Sequence, residues 1–248
     1  CIMIDIKIFQ KRKPLPAGGF VERNPNLSYL VNLGGDSKES CLIDAALDIE
    51  QLRNELEKTR SSLKSVLLTH VHGDHIAELQ DILEIYPNIN IYVHSRAEEY
   101  LKSIGFQNVV PLRNNQVVCI GALDIIALNT PGHSNNSVSY WQPEYNVLFS
   151  GDTIFGGGIG CCDYRGGGNR NIFYLTLQNL LEMLPPETNI YPGHFSEHYQ
   201  SKPPYRLSEE YERNPYLKSV IQGRRGDFDR ALKTVSYTHL TLPTKRIV

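Results

Sequence analysis

The sequence predicts an α/β fold in which two sheets are faced by helices. Its 248 residues suit one domain with a sizeable core. The hydrophobic share of 41% and the charged share of 21% are ordinary globular usage. Short apolar or alternating segments, typical of strands, are interspersed along the chain with segments of helical periodicity. Since no repeat, linker or low-complexity tract divides the chain, we expect a single domain over residues 1–234.

The first half of the chain predicts five strands and three helices. Alternating or apolar runs predict the strands Ile4–Gln10, Asn26–Asn32, Cys41–Ala45, Leu63–Thr69 and Ile89–His94. Helices are predicted at Asp48–Thr59, Asp74–Ile85 and Ala97–Ile104. Ile49, Leu52 and Leu56 give the first helix its apolar stripe, and Asp48 is its expected N-cap.

The second half continues the same pattern. Strands are predicted at Gln116–Ile120, Leu123–Asn129, Ser137–Trp141, Val147–Ser150 and Asn189–Tyr191. A glycine-rich loop, Gly156–Gly168, precedes a predicted helix at Ile172–Leu184, and a last helix is predicted at Ser208–Gln222.

Composition narrows the possible partners and location. A net charge of -2 provides no basic field for nucleic acid. No apolar run approaches the roughly 20 residues that span a bilayer. The opening CIMIDIKIF carries charges and no cleavage site, so we expect a strand there and a cytoplasmic location. Five cysteines without regular spacing argue against a disulfide framework, and neighbouring Cys161 and Cys162 are expected to be buried or incidental thiols.

The final stretch, VSYTHLTLPTKRIV, differs from the rest of the chain. It has no apolar periodicity and resembles translated adapter or vector sequence. We therefore expect residues 235–248 to be a non-native read-through tail, and we exclude them from the fold prediction.

Five of the eight histidines lie in short motifs that each follow a predicted strand. The densest motif is His70-Val71-His72-Gly73-Asp74-His75, which offers three imidazoles and one carboxylate as ligands for zinc or iron. Alternation after the strand points His70 and His72 to one side. Asp74 and His75 follow at the predicted helix start and can face a second metal position. Such a hexapeptide is far better explained by metal binding than by a solvated loop.

Three further motifs contribute one candidate ligand each: His133 in TPGHS, Asp152 in SGDT and His194 in YPGH. Each motif by itself is better explained by ordinary turn or capping chemistry. Their placement at strand ends behind the histidine hexapeptide favours a shared site instead.

The succession HVHGDH, PGHS, SGDT and YPGH resembles the metallo-β-lactamase superfamily from about Ile4 to Val220. The resemblance implies an αβ/βα sandwich of two mixed sheets flanked by helices, with the site at one edge between the sheets. It implies one metal on His70, His72 and His133, a second on Asp74, His75 and His194, and Asp152 as the bridge.

The chemistry of two such ions suggests a hydrolase. Two divalent ions, zinc with iron or manganese as alternatives, can lower the pKa of a shared water from about 15.7 to near 7. The resulting hydroxide attacks a carbonyl carbon while the metals polarise its oxygen. Asp74 can ligate and also orient the nucleophile or accept its proton, which makes it the predicted catalytic residue.

Two segments of the sequence indicate one branch of the superfamily. SGDTIFGGGIGCCDYRGGG and SEEYERNPYLK resemble the glyoxalase II group, whose members hydrolyse thioesters such as S-hydroxyacylglutathione. Asp152 stands where two classes of true β-lactamase carry cysteine, so antibiotic hydrolysis is not expected. The leading prediction is a binuclear hydrolase of a small-molecule thioester, with lactones and other esters as less favoured substrates.

Two alternatives stay open. Persulfide dioxygenases share the same segments and would hold a single iron on His70, His133 and Asp152. A non-catalytic metal domain is the third possibility, although closed structural sites rarely keep an open coordination position.

Substrate contacts are predicted on the glycine-rich loop, at Tyr164 and Arg165. Relatives commonly have Gly-Arg-Thr-Asp after the glycine turn, where this chain has Gly160-Cys161-Cys162-Asp163. His94 is expected to be a surface or supporting residue and His198 a solvated loop residue.

Overall fold

Two six-stranded sheets form the centre of the protein. The computed structural model describes residues 4–14, 20–33, 38–162, 167–195 and 202–236. The first sheet has the order β1-β2-β3-β4-β5-β6, with β1 to β3 antiparallel and β3 to β6 parallel. Its strands are β1 Ile4–Pro14, β2 Phe20–Leu33, β3 Glu39–Ile43, β4 Ser62–Leu67, β5 Asn90–His94 and β6 Val109–Leu112.

The second sheet is also mixed. Its order is β12-β11-β10-β9-β8-β7, and only the β10–β11 pair is parallel. The strands are β7 Gln116–Ile120, β8 Leu123–Asn129, β9 Val138–Gln142, β10 Val147–Gly151, β11 Asn189–Pro192 and β12 Tyr205–Arg206.

Helices cover the outer face of each sheet. They are α1 Ile49–Thr59, α2 Leu79–Ile85, α3 Glu98–Ser103, α4 Arg170–Met183, α5 Leu207–Arg213, α6 Pro215–Ile221 and α7 Arg225–Ser236. Apolar residues of α1 to α3 pack on the first sheet, and those of α4 to α7 pack on the second. A third cluster, which includes Tyr29, Leu67, Tyr140 and Phe149, fills the space between the sheets. This layering confirms the predicted αβ/βα sandwich of two mixed sheets flanked by helices.

The helix predicted at Asp74–Ile85 is wrong at its start, because α2 begins only at Leu79. Residues before it form turns that hold the histidine motif against the end of β3. Ala45 donates its amide to the carbonyl of His75 at 2.8 Å, and Glu78 donates its amide to the carbonyl of Ala45 at 2.9 Å. These long-range backbone bonds replace the first turns of the predicted helix.

The helix predicted at Ser208–Gln222 is two helices, α5 and α6, which break at Asn214 and Pro215. Proline has no amide hydrogen and favours the first position of a new helix. The Asn214 side chain accepts hydrogen bonds from the amides of Tyr216 and Leu217, at 3.1 and 3.3 Å, and so caps α6. By contrast, the predicted cap of α1 is confirmed: Asp48 accepts from the amides of Glu50 and Gln51.

Sequence patterns missed three elements: β6, β12 and α7. The last helix ends at Ser236, two residues inside the stretch that we expect to be a non-native tail, and residues 237–248 lie outside the described part. The division at residue 234 therefore stays a prediction. No helix in the described part of the chain is long and apolar enough to cross a membrane.

Candidate metal centre

Strand direction brings the predicted ligands to one edge of the sandwich. In the first sheet, β3 and β4 are parallel, so the turn after β3 lies beside the His70 motif that follows β4. In the second sheet, β8, β10 and β11 run in the same direction, so the three segments that follow them lie together. Those segments carry His133, Asp152 and His194. All seven predicted ligands fall into groups whose ligand atoms lie within 4.8 Å of one another.

The first group consists of His70, His72 and His133. Nδ1 of His72 lies 3.0 Å from Nε2 of His70 and 2.9 Å from Nε2 of His133. Three ring nitrogens from two different sheets therefore face one point.

The second group consists of Asp74, His75 and His194. Nε2 of His75 lies 3.2 Å from Nε2 of His194, which in turn lies 3.6 Å from Oδ2 of Asp74. This group is adjacent to the first, since the rings of His70 and His75 are only 4.0 Å apart between centroids.

Asp152 lies between the two groups and is buried. Its Oδ1 is 3.3 Å from Nε2 of His75, and its Oδ2 is 3.4 Å from Nε2 of His194 and 3.5 Å from Nε2 of His133. One carboxylate thus reaches histidines of both groups, which is the placement expected of a bridge.

Hydrogen bonds on the far side of three rings set their tautomers. Nδ1 of His75 lies 2.8 Å from Oδ2 of Asp44, and Nδ1 of His133 lies 2.7 Å from the carbonyl oxygen of Cys161. Nδ1 of His70 lies 3.2 Å from the Thr69 hydroxyl, which donates its own hydrogen to Asp44. Because these partners accept hydrogen bonds, each ring carries its hydrogen on Nδ1 and turns the lone pair of Nε2 towards the centre.

Asp44 is a functional residue that the sequence patterns missed. It lies in the turn after β3 with a φ of 57°, a left-handed conformation that aspartate tolerates better than most residues. Its carboxylate is buried and also accepts from the Thr69 amide at 2.7 Å. The only signal in the sequence is an acidic residue directly after the apolar run of β3.

Asn26 is a second residue that sequence reasoning missed. Its side-chain amide donates to Oδ2 of Asp74 at 3.2 Å, and it is almost fully buried. The β2 backbone holds it there, because Leu27 donates to the carbonyl of Gly193 at 2.9 Å and the Phe195 amide donates to Pro25 at 3.1 Å. Asn26 therefore orients the predicted catalytic carboxylate.

The electrostatics favour positive charge at the centre. Burial, with the neighbouring His75, lowers the pKa of His70 well below its usual value. Burial also opposes protonation of His75, but Asp152 and Asp44 outweigh it and hold the pKa of His75 well above the usual value. Burial would raise the pKa of Asp152, yet His194 and His75 hold it well below its ordinary range.

The donor set fits divalent metal ions. Imidazole nitrogens and carboxylate oxygens are the ligands that zinc and iron take in such sites. Asp152 and Asp44 favour positive charge at His75, and a cation bound between the ring nitrogens would supply that charge. Oδ1 of Asp152 is buried and accepts no hydrogen bond of good geometry, so an ion would satisfy it as well.

Four predicted residues remain: Tyr164, Arg165, His198 and His94. Tyr164, Arg165 and His198 lie outside the described residues. His94 is buried, contrary to the surface position that we considered, and its Nδ1 accepts from the Arg96 amide at 3.0 Å. It caps the short 3-10 turn Ser95–Ala97 that precedes α3.

Comparison with known proteins identifies the family. Residues 21–194 match the Metallo-beta-lactamase superfamily, and the chain belongs to it. Family membership and the histidine–aspartate cluster together support a metal-binding enzyme.

The chain is also similar to individual members of this superfamily. It is 32% identical over 178 residues to "Hydroxyacylglutathione hydrolase" of Bartonella henselae, covering 71% of this chain and 65% of that protein. It is 29% identical over 192 residues to "Probable polyketide biosynthesis zinc-dependent hydrolase BaeB" of Bacillus velezensis, covering 77% and 82%. The crystal structure of ETHE1 from Myxococcus xanthus superimposes with a TM-score of 0.69 at 27% identity and covers 88% of each chain.

Proposed function

We propose that this protein is a binuclear metal-dependent hydrolase that cleaves a thioester. The observation that carries the proposal is the position of Asp152, whose two oxygens approach histidines of two adjacent three-residue groups. Two groups that share one carboxylate match the ligand pattern of two neighbouring ions. Each group has three donors of its own in addition to the shared carboxylate.

Two divalent ions, most simply zinc, would supply Lewis acidity that polarises a carbonyl group and favours ionisation of water at neutral pH. His70, His72 and His133 would hold one ion, and Asp74, His75 and His194 the other. The chain itself keeps the histidines in the ligating tautomer through Asp44, Thr69 and the Cys161 carbonyl. We infer that this pre-set hydrogen bonding, rather than any nucleophilic side chain, prepares the site for hydrolysis.

Asp74 is the residue that we expect to handle the proton. Its side chain is 28% exposed whereas that of Asp152 is 8% exposed, so it lies nearer to the solvent and to an incoming substrate. Asn26 fixes the Asp74 carboxylate through Oδ2. A carboxylate held at this edge can orient the attacking water and accept its proton.

The choice of a thioester is supported by the relatives. One of them is named as a hydroxyacylglutathione hydrolase, and the glycine-rich segment after Asp152 resembles that group. A thioester presents a carbonyl carbon to a nucleophile. Its leaving group is a thiolate, which can leave without being protonated first, whereas the nitrogen of an amide must be protonated.

The test combines metal content with turnover. Protein purified without added metal is expected to hold about two zinc or mixed zinc, iron and manganese ions per chain, and to hydrolyse S-hydroxyacylglutathione or another thioester of a panel without oxygen uptake. One iron per chain with oxygen consumption on glutathione persulfide would instead assign a dioxygenase that uses His70, His133 and Asp152.

A matched pair of histidine variants separates metal loss from misfolding. His94 ends strand β5 and His133 follows strand β8, and their exposed fractions are 6% and 7%, but of the two only His133 belongs to the cluster. We expect His133→Gln to lose bound metal and turnover and His94→Gln to keep both. Equal metal content in the two variants would contradict the proposed ligand set.

A further inference from the structure

The first of two neighbouring cysteines, Cys161 and Cys162, has its backbone against the proposed metal centre. The carbonyl oxygen of Cys161 accepts the hydrogen bond from Nδ1 of His133 at 2.7 Å. Just before it, the Gly160 amide donates to the carbonyl of Asp152 at 3.0 Å. A Cβ atom at Gly160 would approach that carbonyl oxygen to 2.2 Å and Nδ1 of His133 to 2.9 Å. The segment is therefore packed tightly against two predicted ligands.

The two cysteines are exposed to solvent to different extents. Cys162 is 2% exposed and packs in the apolar cluster under α4, whereas Cys161 is partly exposed. A small oxidant can reach the partly exposed Cys161, and Cys162 is its neighbour in the chain.

We propose that Cys161 and Cys162 form a reversible vicinal disulfide that loosens His133 and weakens metal binding. Adjacent Cα atoms are about 3.8 Å apart across a trans peptide, below the about 4.4–6.8 Å usual for disulfides. A bond closed at that distance is strained, and strained disulfides are the readily reduced, regulatory ones. This assignment differs from our expectation of buried or incidental thiols.

The coupling to the metal site follows from the atoms in the ring. A disulfide between adjacent residues encloses the peptide bond that joins them. The carbonyl of that peptide bond belongs to Cys161 and is the group that fixes His133. Closing the ring must therefore reorient the acceptor that holds His133 in its ligating tautomer.

Oxidation of the two thiols to a disulfide requires a two-electron oxidant, and a peroxide such as hydrogen peroxide supplies it. The Cys161 sulfur attacks one peroxide oxygen, the O–O bond breaks, and one water leaves with a sulfenic acid remaining on Cys161. The Cys162 sulfur then attacks the Cys161 sulfur, the S–O bond breaks, and a second water leaves. Two thiols are oxidised to one disulfide while one peroxide is reduced to two waters. A dithiol such as dithiothreitol reverses the step by thiol–disulfide exchange.

The expected effect on metal binding rests on the proposed function, but formation of the disulfide does not. Loss of an outer hydrogen bond to a ligating histidine typically weakens metal binding about 10- to 100-fold. We expect a loss of that size for zinc in the oxidised protein, with recovery on reduction.

The experiment uses the full chain with Cys119→Ser, because exposed Cys119 would otherwise share a tryptic fragment with the pair. In that background, fragment 114–165 contains only Cys161 and Cys162. After peroxide, its mass should fall by two hydrogen atoms and return on reduction. Zinc affinity is measured in parallel by competition with a chromophoric chelator. The matched variant adds Cys161→Ser, which keeps the backbone carbonyl and removes one thiol.

The expected result is a zinc affinity that falls about 10- to 100-fold on oxidation of the Cys119→Ser protein. In the Cys161→Ser protein, oxidised and reduced samples should agree within about twofold. A fragment that gains oxygen atoms instead of losing hydrogens would overturn the disulfide. A disulfide that leaves zinc affinity unchanged would overturn its coupling to His133. If the reduced protein binds no zinc, the proposed function fails while the fragment mass still decides whether the disulfide forms.

Discussion

Replacing Asp44 with asparagine should separate metal binding from folding. Asparagine has the same shape and also tolerates the φ of 57° found at this position. One oxygen can still accept from the Thr69 amide, at the 2.7 Å seen for Oδ1. The other oxygen becomes an NH2 donor where Oδ2 now accepts from the Thr69 hydroxyl and from Nδ1 of His75.

Both of those partners can reverse their roles. The Thr69 hydroxyl can rotate to accept, and the imidazole can move its hydrogen to Nε2. Hydrogen bonds to charged groups contribute about 1.5–3 kcal/mol and neutral ones about 0.5–1.5 kcal/mol. Two such exchanges therefore cost about 2 kcal/mol of unfolding free energy. For a chain of this size that lowers Tm by about 4–8 °C.

The substitution should also weaken metal binding. A hydrogen on Nε2 of His75 points at the second group and removes a ligand lone pair. We expect zinc at that group to bind about 10- to 100-fold more weakly, so that stoichiometry at limiting zinc falls towards one per chain. Elemental analysis and chelator competition measure both quantities, and near-ultraviolet circular dichroism reports the fold.

The matched control is Asp48→Asn, four residues further along, where asparagine caps α1 as well as aspartate does. That variant should keep wild-type stability and metal content. Two zinc ions bound with wild-type affinity in Asp44→Asn would refute the argument that the Asp44 carboxylate sets the His75 tautomer.

Three further outcomes are expected. Gly193→Ala should lose metal while keeping secondary structure, because its Cβ would lie 2.5 Å from Oδ1 of Asp152 and 2.7 Å from Cε1 of His75; wild-type metal content by elemental analysis would contradict this. Zinc at 100 times its Kd should stabilise the fold by about 2.7 kcal/mol, and an unchanged Tm after chelation would argue against a native metal site. The hydrogen bond from Lys58 lowers the pKa of Glu55, so its contribution is present above the ordinary carboxyl pKa and lost as pH falls through the folded value. Glu55→Gln should therefore be less stable than the native protein in urea at neutral pH and equally stable in acid; a constant difference at both pH values would count against the ion pair.

The seven ligand candidates were predictable because each carries a local signal. A strand-forming run precedes each of His70, His133, Asp152 and His194, and a short motif follows it. Strand ends on one side of a sandwich meet at a common edge, so local patterns placed distant residues together. The seven side chains lie close together, and their role as metal ligands stays a prediction.

The supporting residues had no such signal. Asp44 contacts a histidine 31 positions away, Asn26 an aspartate 48 positions away, and the Cys161 carbonyl a histidine 28 positions away. An aspartate after a strand or an asparagine within one fits many turns and edges equally well. Their roles depend on which segments the fold brings together, and backbone acceptors such as the Cys161 carbonyl are not specified by residue type at all.

The same limit applies to how the two sheets are held relative to each other. Two tyrosines from the apolar layer connect the sheets near the metal centre. The Tyr140 hydroxyl, on β9, donates to the carbonyl of Leu68 at 2.8 Å, and the Tyr29 hydroxyl, on β2, donates to the carbonyl of Pro192 at 2.5 Å. Burial raises the pKa of both phenols well above the usual value, so they stay neutral donors.

These acceptors lie two residues before a ligand in each case: Leu68 precedes His70, and Pro192 precedes His194. A ligand set drawn from two sheets needs those sheets fixed to within a few tenths of an ångström, because metal–ligand distances are short and narrow in range. Apolar packing is non-directional. By itself it does not fix how far one sheet is shifted along the other. A buried hydroxyl from one sheet bonded to a carbonyl of the other supplies that direction, which explains why the layer between the sheets contains tyrosine, rather than phenylalanine, at these two positions.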